Sequence, residues 1–320
     1  MHGDGDGWVT CERGHPHWGR YGAAGLLLRD RARDGAGERD RVVLQHRAAW
    51  SHQGGTWGMP GGARDSDESA VRAALREAAE EGGLDPAAVR PVGLLTDDHG
   101  GWSYVTVLAE PVTPVEPHAT GGESVEVRWV DVPAVDALPL HPGFAATWPR
   151  LRTAPPGIVL VVDAANVVGA RGRGDGWWRD RAGATRRLRD ALAPLAEGLP
   201  AADLPGASPA DVDLLLPRIV LVVEGAAAAV AADRRGGDGG GAGSGGAGSG
   251  GAGPGAVEVV AASGSGDDAI VAVAAAESAT HRVLVVTADR GLADRLAALG
   301  VPRVGPRWLL SRIDRERQRG

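Results

Sequence analysis

The chain contains no lysine, so all 34 of its basic side chains are arginine. That absence excludes a phosphate-binding P-loop, a Schiff-base lysine and a Ser-Lys dyad at once. Cysteine occurs once, at Cys11, so no disulfide can close within the chain and a reducing compartment is the default. No apolar run reaches the roughly 18 residues of a membrane-crossing helix. The opening MHGDGDGWVT lacks the basic and apolar regions of a signal peptide, so a soluble, cytoplasmic protein with no membrane partner is expected. Excess charge is also scarce. The net value is −7 over 320 residues with a pI of about 5.7, which argues against coating nucleic acid by bulk charge and leaves only local basic patches.

Apolar residues are plentiful, at 43%, and the length suggests about two domains. Over 21–149 the short apolar runs AAGLLLR, RVVLQHR, PVGLLTD, WSYVTVLAE and ESVEVRWV read as strands around one strong helix. HPGFAATWPRL, 141–151, reads as a closing helix. The break TAPPG at 153–157 then divides the chain into domains 1–153 and 154–320. Beyond it GIVLVVDAAN, PRIVLVVEG, VEVVAA and HRVLVVTADRG are short, wholly apolar strands alternating with helical segments. This pattern predicts a doubly wound, mostly parallel α/β domain. Residues 234–256 are almost all Gly, Ser and Ala, so they read as a disordered insertion between two strands.

The segment PGGARDSDESAVRAALREAAEEGGLD, 60–85, carries the strongest chemical signal. Asp65 three residues before Glu68 resembles a capping box and Gly82-Gly83 a stop, predicting a helix over 66–81. Val71, Ala74, Leu75 and Ala78 recur at core-facing spacing, which leaves Glu77, Glu80 and Glu81 on another side. Like charges at that spacing cost about 0.2–0.5 kcal/mol per pair. A bound Mg²⁺ or Mn²⁺, which favours hard carboxylate oxygens, would offset it, whereas the plain alternative is a solvated acidic face.

The spacing is richer than a charge run. Gly62, Glu68, Arg76, Glu77, Glu80, Glu81, Gly83 and Leu84 fit G-x5-E-x7-R-E-U-x-E-E-x-G-U, where U is aliphatic. This is the Nudix box, and 21–151 resembles a Nudix hydrolase, with Ala78 smaller than the aliphatic residue usual at its position. The resemblance implies a mixed-sheet α/β/α sandwich that hydrolyses nucleoside diphosphates linked to another moiety. It also implies that Glu77, Glu80 and Glu81 hold a divalent metal and that Arg76 orients them by ion pairing. Gly61 and Gly62 let the backbone approach metal or phosphate, and Gly62 is counted with the metal-binding set. A further carboxylate, Glu123 or Glu126, is expected to join, and the sequence does not choose between them. Trp57 and Trp102 either stack on a base or simply pack. Cys11, His15 and His17 offer three zinc ligands, but their spacing matches no common finger.

A second set of acids falls at strand ends: Asp163, Glu224 and Asp289, with Asp267 and Asp268 opening a helix. In a parallel sheet those ends converge on one crevice. Taken singly, Asp267 reads as a helix cap and Asp289 as a turn residue. VVDAANVVG, GDDAIVAVA and VVTADRGLADRL resemble the NYN branch of the PIN-like nucleases over most of 157–307. That resemblance implies a Mg²⁺-dependent ribonuclease with Asp163, Asp267 or Asp268, and Asp289 as metal acids and Asn166 beside them. The long glycine insertion is not part of that family's pattern. Arg171, Arg173, Arg179, Arg181, Arg186 and Arg187, with Trp177 and Trp178, are residue types that contact RNA phosphates and bases, although helix-surface solubility accounts for the arginines too. Two other readings remain open: a non-catalytic nucleotide- or RNA-binding second domain, and a Nudix domain that binds a nucleotide without turning it over.

Overall fold

The computed structural model describes residues 3–34, 37–171, 177–206, 212–232 and 256–319. Arg173, the side chain of Trp177 and the glycine-rich insertion expected over 234–256, its last residue apart, lie outside the described residues. In chain order the elements begin with β1 (Trp8–Thr10), β2 (Pro16–Trp18), β3 (Ala23–Asp34), β4 (Gly37–Arg47), β5 (Trp57–Gly58) and β6 (Gly61–Ala63). There follow α1 (Ala70–Gly82), β7 (Val89–Asp98), β8 (Ser103–Pro111), β9 (Ser124–Asp131), α2 (Pro142–Leu151), β10 (Ile158–Asp163) and α3 (Ala164–Arg171). Next are α4 (Arg181–Glu197), β11 (Leu199–Pro200), β12 (Leu214–Leu215), β13 (Arg218–Val223) and β14 (Val257–Ala261). The chain closes with α5 (Gly266–Glu277), β15 (Arg282–Val286), α6 (Arg290–Ala298), β16 (Arg303–Val304) and α7 (Pro306–Arg319). Among the described residues no helix is long and apolar enough to cross a membrane.

Two compact units emerge, Met1–Pro156 with Pro200–Leu215, and Gly157–Leu199 with Leu216–Gly320. The first is built on a mixed sheet. Strand β3 pairs in parallel with β8 and antiparallel with β4 and β6, while β7, β9 and β12 extend the sheet antiparallel. Because side chains alternate along a strand, Ala24, Leu26 and Leu28 point to one face, where they bury against Ala73, Ala74 and Ala78 of α1. Leu27 and Arg29 point to the other. There the buried Arg29 guanidinium donates to the Leu151 and Arg152 carbonyls at the end of α2 and forks onto both Asp40 oxygens, at 2.7 and 2.6 Å. Helices therefore cover both faces of the sheet. Ala78, small for its place in the box, is fully buried, which lets α1 lie close to the sheet.

Helix α1 starts later than its capping box predicts. Its N-cap is Ser69, whose hydroxyl accepts the Arg72 N–H at 3.2 Å. Asp65 and Glu68 instead close the preceding turn: the Glu68 carboxylate accepts from both the Asp65 N–H and Arg76, while the Asp65 carboxylate accepts the Gly5 N–H at 3.1 Å. The stop is as expected, with Gly83 left-handed at φ 62° and its N–H bonded to the Ala78 and Ala79 carbonyls. Segment Pro200–Leu215 was not legible. It returns to the first unit, where β12 pairs with β7 and an Asp213 carboxylate oxygen accepts the Thr96 N–H at 2.7 Å.

The second unit is wound on a five-stranded sheet of order β14-β13-β10-β15-β16, parallel throughout. Val159, Val161, Val220, Val222, Val283 and Val285 face Ile270 and Ala274 of α5 and Leu292 and Leu296 of α6. Helices α3, α4 and α7 pack against one another with Val167, Leu188, Leu192, Leu309 and Ile313 buried. The chain moves outward from β10 to β13 and β14, then crosses through α5 to β15 on the other side of β10. That reversal places the strand C-termini around a topological switch point, the usual ligand crevice of such sheets.

Candidate active site

In the first unit, β6 lies antiparallel along β3, with Ala24 opposite Gly62 and Gly25 opposite Gly61. Helix α1 crosses directly over it. Glu77 and Glu81, one turn apart, both turn toward this glycine strand. The Glu81 carboxylate accepts the Gly61 N–H at 3.0 Å. Gly62 faces Glu77 so closely that a Cβ there would sit 2.5 Å from Oε1 and 2.9 Å from Oε2, so only glycine admits the carboxylate.

Arg76 organises the acids. Its Nε and Nη2 grip the two Glu68 oxygens at 3.0 and 2.9 Å, Nη2 also donates to the Ala63 carbonyl, and Nη1 donates to Glu77 at 2.7 Å and Glu80 at 3.3 Å. Bidentate pairing of this kind fixes position as well as charge. Its bond from Arg76 holds the Glu68 carboxyl below the usual range. Glu80 differs from its two neighbours: its side chain is 62% exposed, against 16% for Glu77. Of the three expected metal acids, two are packed against the glycine strand and one faces outward.

Burial sets the electrostatics. It raises the Glu77 carboxyl above its ordinary range despite Arg76. It raises Glu81 further, to about 7, helped by the Glu77 charge and opposed by the Gly61 N–H, Gln45 and Arg47. Two partly desolvated carboxylates held on one side of α1 favour a compensating cation between them. Their hard oxygens, beside a backbone open at Gly61 and Gly62, fit Mg²⁺ or Mn²⁺.

Gln45 and Tyr104 complete the surroundings and were invisible as site residues, because burial of a lone polar side chain leaves no spacing signal. Gln45 is fully buried and donates to Ser124 at 2.7 Å, while its Oε1 has no partner. The Tyr104 hydroxyl occupies the space that side chains at Gly25 or Gly61 would need, and desolvation with the Glu81 charge pushes it above its usual range. His141 caps α2 by accepting the Gly143 N–H, and burial beside Arg47 and His52 lowers it to about 4.

Glu123 and Glu126 are both exposed, and Glu126 is paired with Arg128 at 3.0 Å. Trp57 is buried and stacked on His46 at 4.8 Å with the Arg128 guanidinium also over its ring, which is the packing arrangement. Trp102 stacks on His17 at 4.0 Å and donates to the Gly19 carbonyl.

In the second unit Asp163 ends β10. Its oxygens accept the Asn166 N–H at 3.0 Å and the buried Thr287 hydroxyl at 2.8 Å. Burial raises its carboxyl despite these bonds, and the charges of Asp267 and Glu224 add to the effect. Burial likewise raises Asp267, with contributions from Asp289 and Glu224. Glu224 accepts the Gly266 N–H at the start of α5, and Asp289 caps α6 through the Leu292 N–H. The charges of Glu224 and Asp289 therefore reach the two raised carboxyls at the strand ends. Asp268 faces Arg295 in an exposed ion pair of 2.7 Å. Of the expected RNA-contacting set, Trp178, Arg179, Arg181 and Arg187 are exposed. A concavity of about 720 Å³ between α3, α4 and α7 includes Arg171 and Arg187, and none of the strand-end acids lines it.

A sandwich with an arginine-braced glutamate helix lying over a glycine strand defines a class, and comparison with known proteins agrees. Residues 21–151 match the model of the NUDIX domain. A Mycobacterium tuberculosis protein named as a candidate 8-oxo-dGTP diphosphatase is 51% identical over 166 residues, covering 50% of this chain and 75% of that protein. A Bifidobacterium longum nucleoside triphosphate pyrophosphatase/Nudix hydrolase fusion protein is 46% identical over 152 residues, covering 47% of this chain and 31% of the fusion. The crystal structure of the M. smegmatis Nudix hydrolase RenU is 48% identical, covers 46% of this chain and 93% of that one, and superposes with a TM-score of 0.43. The chain belongs to the Nudix family.

Proposed function

We propose that the first unit is a Mg²⁺- or Mn²⁺-dependent pyrophosphohydrolase of nucleotides, with oxidised purine nucleoside triphosphates as the leading substrate class. The observation that carries this reading is the pair Glu77 and Glu81, half-buried and packed against Gly61 and Gly62, with the Glu81 carboxylate on the Gly61 N–H and both carboxyls raised. The substrate class is supported by the nucleotide triphosphates named for the M. tuberculosis and B. longum relatives. In this reading Glu77, Glu80 and Glu81 hold the metal, Gly62 leaves room for it, and Arg76 fixes the glutamates relative to one another. A bound divalent cation supplies neutralisation of the polyphosphate and a lowered pKa for the attacking water. Phosphate release is measured with Mg²⁺ against oxidised nucleoside triphosphates, dinucleotide polyphosphates, ADP-ribose, NADH and capped RNA. Turnover of the first class above the rest is expected, and binding without turnover of any substrate would make the unit a sensor.

For the second unit we infer a PIN-like domain that cleaves RNA with a divalent metal held by Asp163, Asp267 and Asp289, with Asp268 and Glu224 adding negative charge. The support is the pair of raised carboxyls, Asp163 and Asp267, set beside Glu224 and Asp289 at the switch point of a parallel sheet. A specific observation favours the other reading, a non-catalytic RNA- or nucleotide-binding module. Asp163 already accepts two hydrogen bonds and Asp289 already caps a helix. Nuclease assays of wild type and Asp163→Asn separate the two. Loss of Mg²⁺- or Mn²⁺-dependent cleavage in the variant is expected, and a wild type that binds RNA without cutting it supports the module.

A further inference from the structure

Hairpin β1–β2 has strands of only three residues, and Trp8 and Trp18 stand on it 55% and 42% exposed. A hairpin this small is marginal without a further tie. Its turn is tight: the Cys11 N–H donates to the His15 carbonyl at 3.0 Å and the Gly14 N–H to the Cys11 carbonyl at 2.9 Å. The turn is also tethered to the loop joining β7 and β8, through the Glu12 N–H on the Gly100 carbonyl at 2.9 Å and Arg13 on the Asp98 carbonyl at 2.7 Å. That loop brings His99 to the three ligands visible in sequence. One ligand atom from each of Cys11, His15, His17 and His99 lies within 4.8 Å of every other.

A tetrahedral zinc ion with Zn–S of about 2.3 Å and Zn–N of about 2.0–2.1 Å needs ligand atoms about 3.3–3.6 Å apart, a small inward adjustment. An independent observation points to a ligand at the same place. His17 Nε2 and His99 Nδ1 are buried with no hydrogen-bond partner, an arrangement that costs about 1–3 kcal/mol per group when nothing satisfies it. The other ring nitrogen of His99 lies 3.1 Å from an Asp97 carboxylate oxygen. A carboxylate only accepts, so Nε2 carries the proton and Nδ1 presents its lone pair, the partner arrangement typical of metal-bound histidine. The His17 ring is held against Trp102, and the Cys11 side chain is buried.

We infer that Cys11, His15, His17 and His99 form a Cys-His₃ zinc site that clasps the β1–β2 turn to the β7–β8 loop. Four protein ligands leave no open coordination position, so the site is structural. Binding ionises the Cys11 thiol and releases its proton to solvent. Sulfur and imidazole ligands separate this site chemically from the all-oxygen glutamate cluster, which suits Mg²⁺.

The test uses the full chain purified without chelators. Cells grown with zinc are expected to yield about one zinc per chain by plasma mass spectrometry. Cells grown with cobalt in its place are expected to yield protein with a thiolate-to-cobalt charge-transfer band in the near ultraviolet and the visible bands of tetrahedral cobalt. Glu81→Gln retains both signals, and Cys11→Ser loses the charge-transfer band. Asp97→Asn weakens zinc binding about 10–100-fold in a chelator competition. Wild-type protein with neither stoichiometric zinc nor the thiolate band overturns the proposal. So does a zinc content that disappears in Glu81→Gln and survives in His99→Ala. Should the Cys11 and His99 variants fail to fold, the wild-type cobalt spectrum alone decides.

Discussion

Glu81 concentrates the electrostatic strain of the first unit in one titratable group. Its folded-state pKa of about 7 stands above the ordinary 4.5 because burial and Glu77 disfavour the anion. A raised carboxyl contributes stability that is fully present below about 4.5 and is lost as the pH rises through about 7. At about 1.4 kcal/mol per pH unit this amounts to about 3 kcal/mol. Metal-free wild type is therefore expected to lose stability relative to Glu81→Gln between pH 4.5 and 7.5, read as the difference in urea midpoints. Above pH 7, added Mg²⁺ is expected to restore that stability by binding the ionised form. Parallel pH profiles for the two proteins would contradict this picture. Glu68, lowered by Arg76, works in the opposite sense in both proteins and cancels in the difference.

At the scale of elements, α1 shows what spacing conveys and what it omits. The apolar positions Val71, Ala74, Leu75 and Ala78 and the Gly83 stop were legible because periodicity and a left-handed cap leave fixed signatures. The true cap was not, since the Asp65 carboxylate is taken by the Gly5 N–H, a partner that only the fold brings within reach. Ser69→Ala is expected to destabilise the first unit by about 1 kcal/mol in chemical denaturation by uncapping α1, whereas Asp65→Ala removes the acceptor of the Gly5 N–H and leaves the α1 cap in place. The box placed Glu77, Glu80 and Glu81 together, yet which two sink against the glycine strand depends on the rotation of α1 over β6. Pro200–Leu215 escaped because its strands are two residues long, too short to carry a period. His99 escaped because a ligand supplied by a distant loop has no spacing to read.

For the molecule as a whole, that returning segment means the first unit is not continuous in sequence. A chain ending at Pro156 lacks Leu214 and Leu215 on β7 and the Asp213 carboxylate on the Thr96 N–H. Calorimetry of such a chain is expected to give a first-unit transition several degrees below that of the full chain, and an unchanged melting temperature would show the segment to be dispensable. The two metal chemistries proposed for the first unit also separate at this scale. On these proposals, removal of Mg²⁺ is expected to stop hydrolysis and leave the β1–β2 hairpin in place, and stripping of zinc is expected to loosen the hairpin without removing the glutamate site.

The central claim is that the glutamates of α1 perform metal-dependent hydrolysis, and the direct measurement is the initial rate of phosphoanhydride cleavage in wild type and Glu81→Gln, with Mg²⁺ and with chelator. Metal chemistry worth several kcal/mol should make Glu81→Gln about a thousandfold slower while its circular dichroism stays unchanged, and chelator should abolish wild-type turnover. A folded Glu81→Gln protein that cleaves the same nucleotide at the wild-type rate would contradict the account.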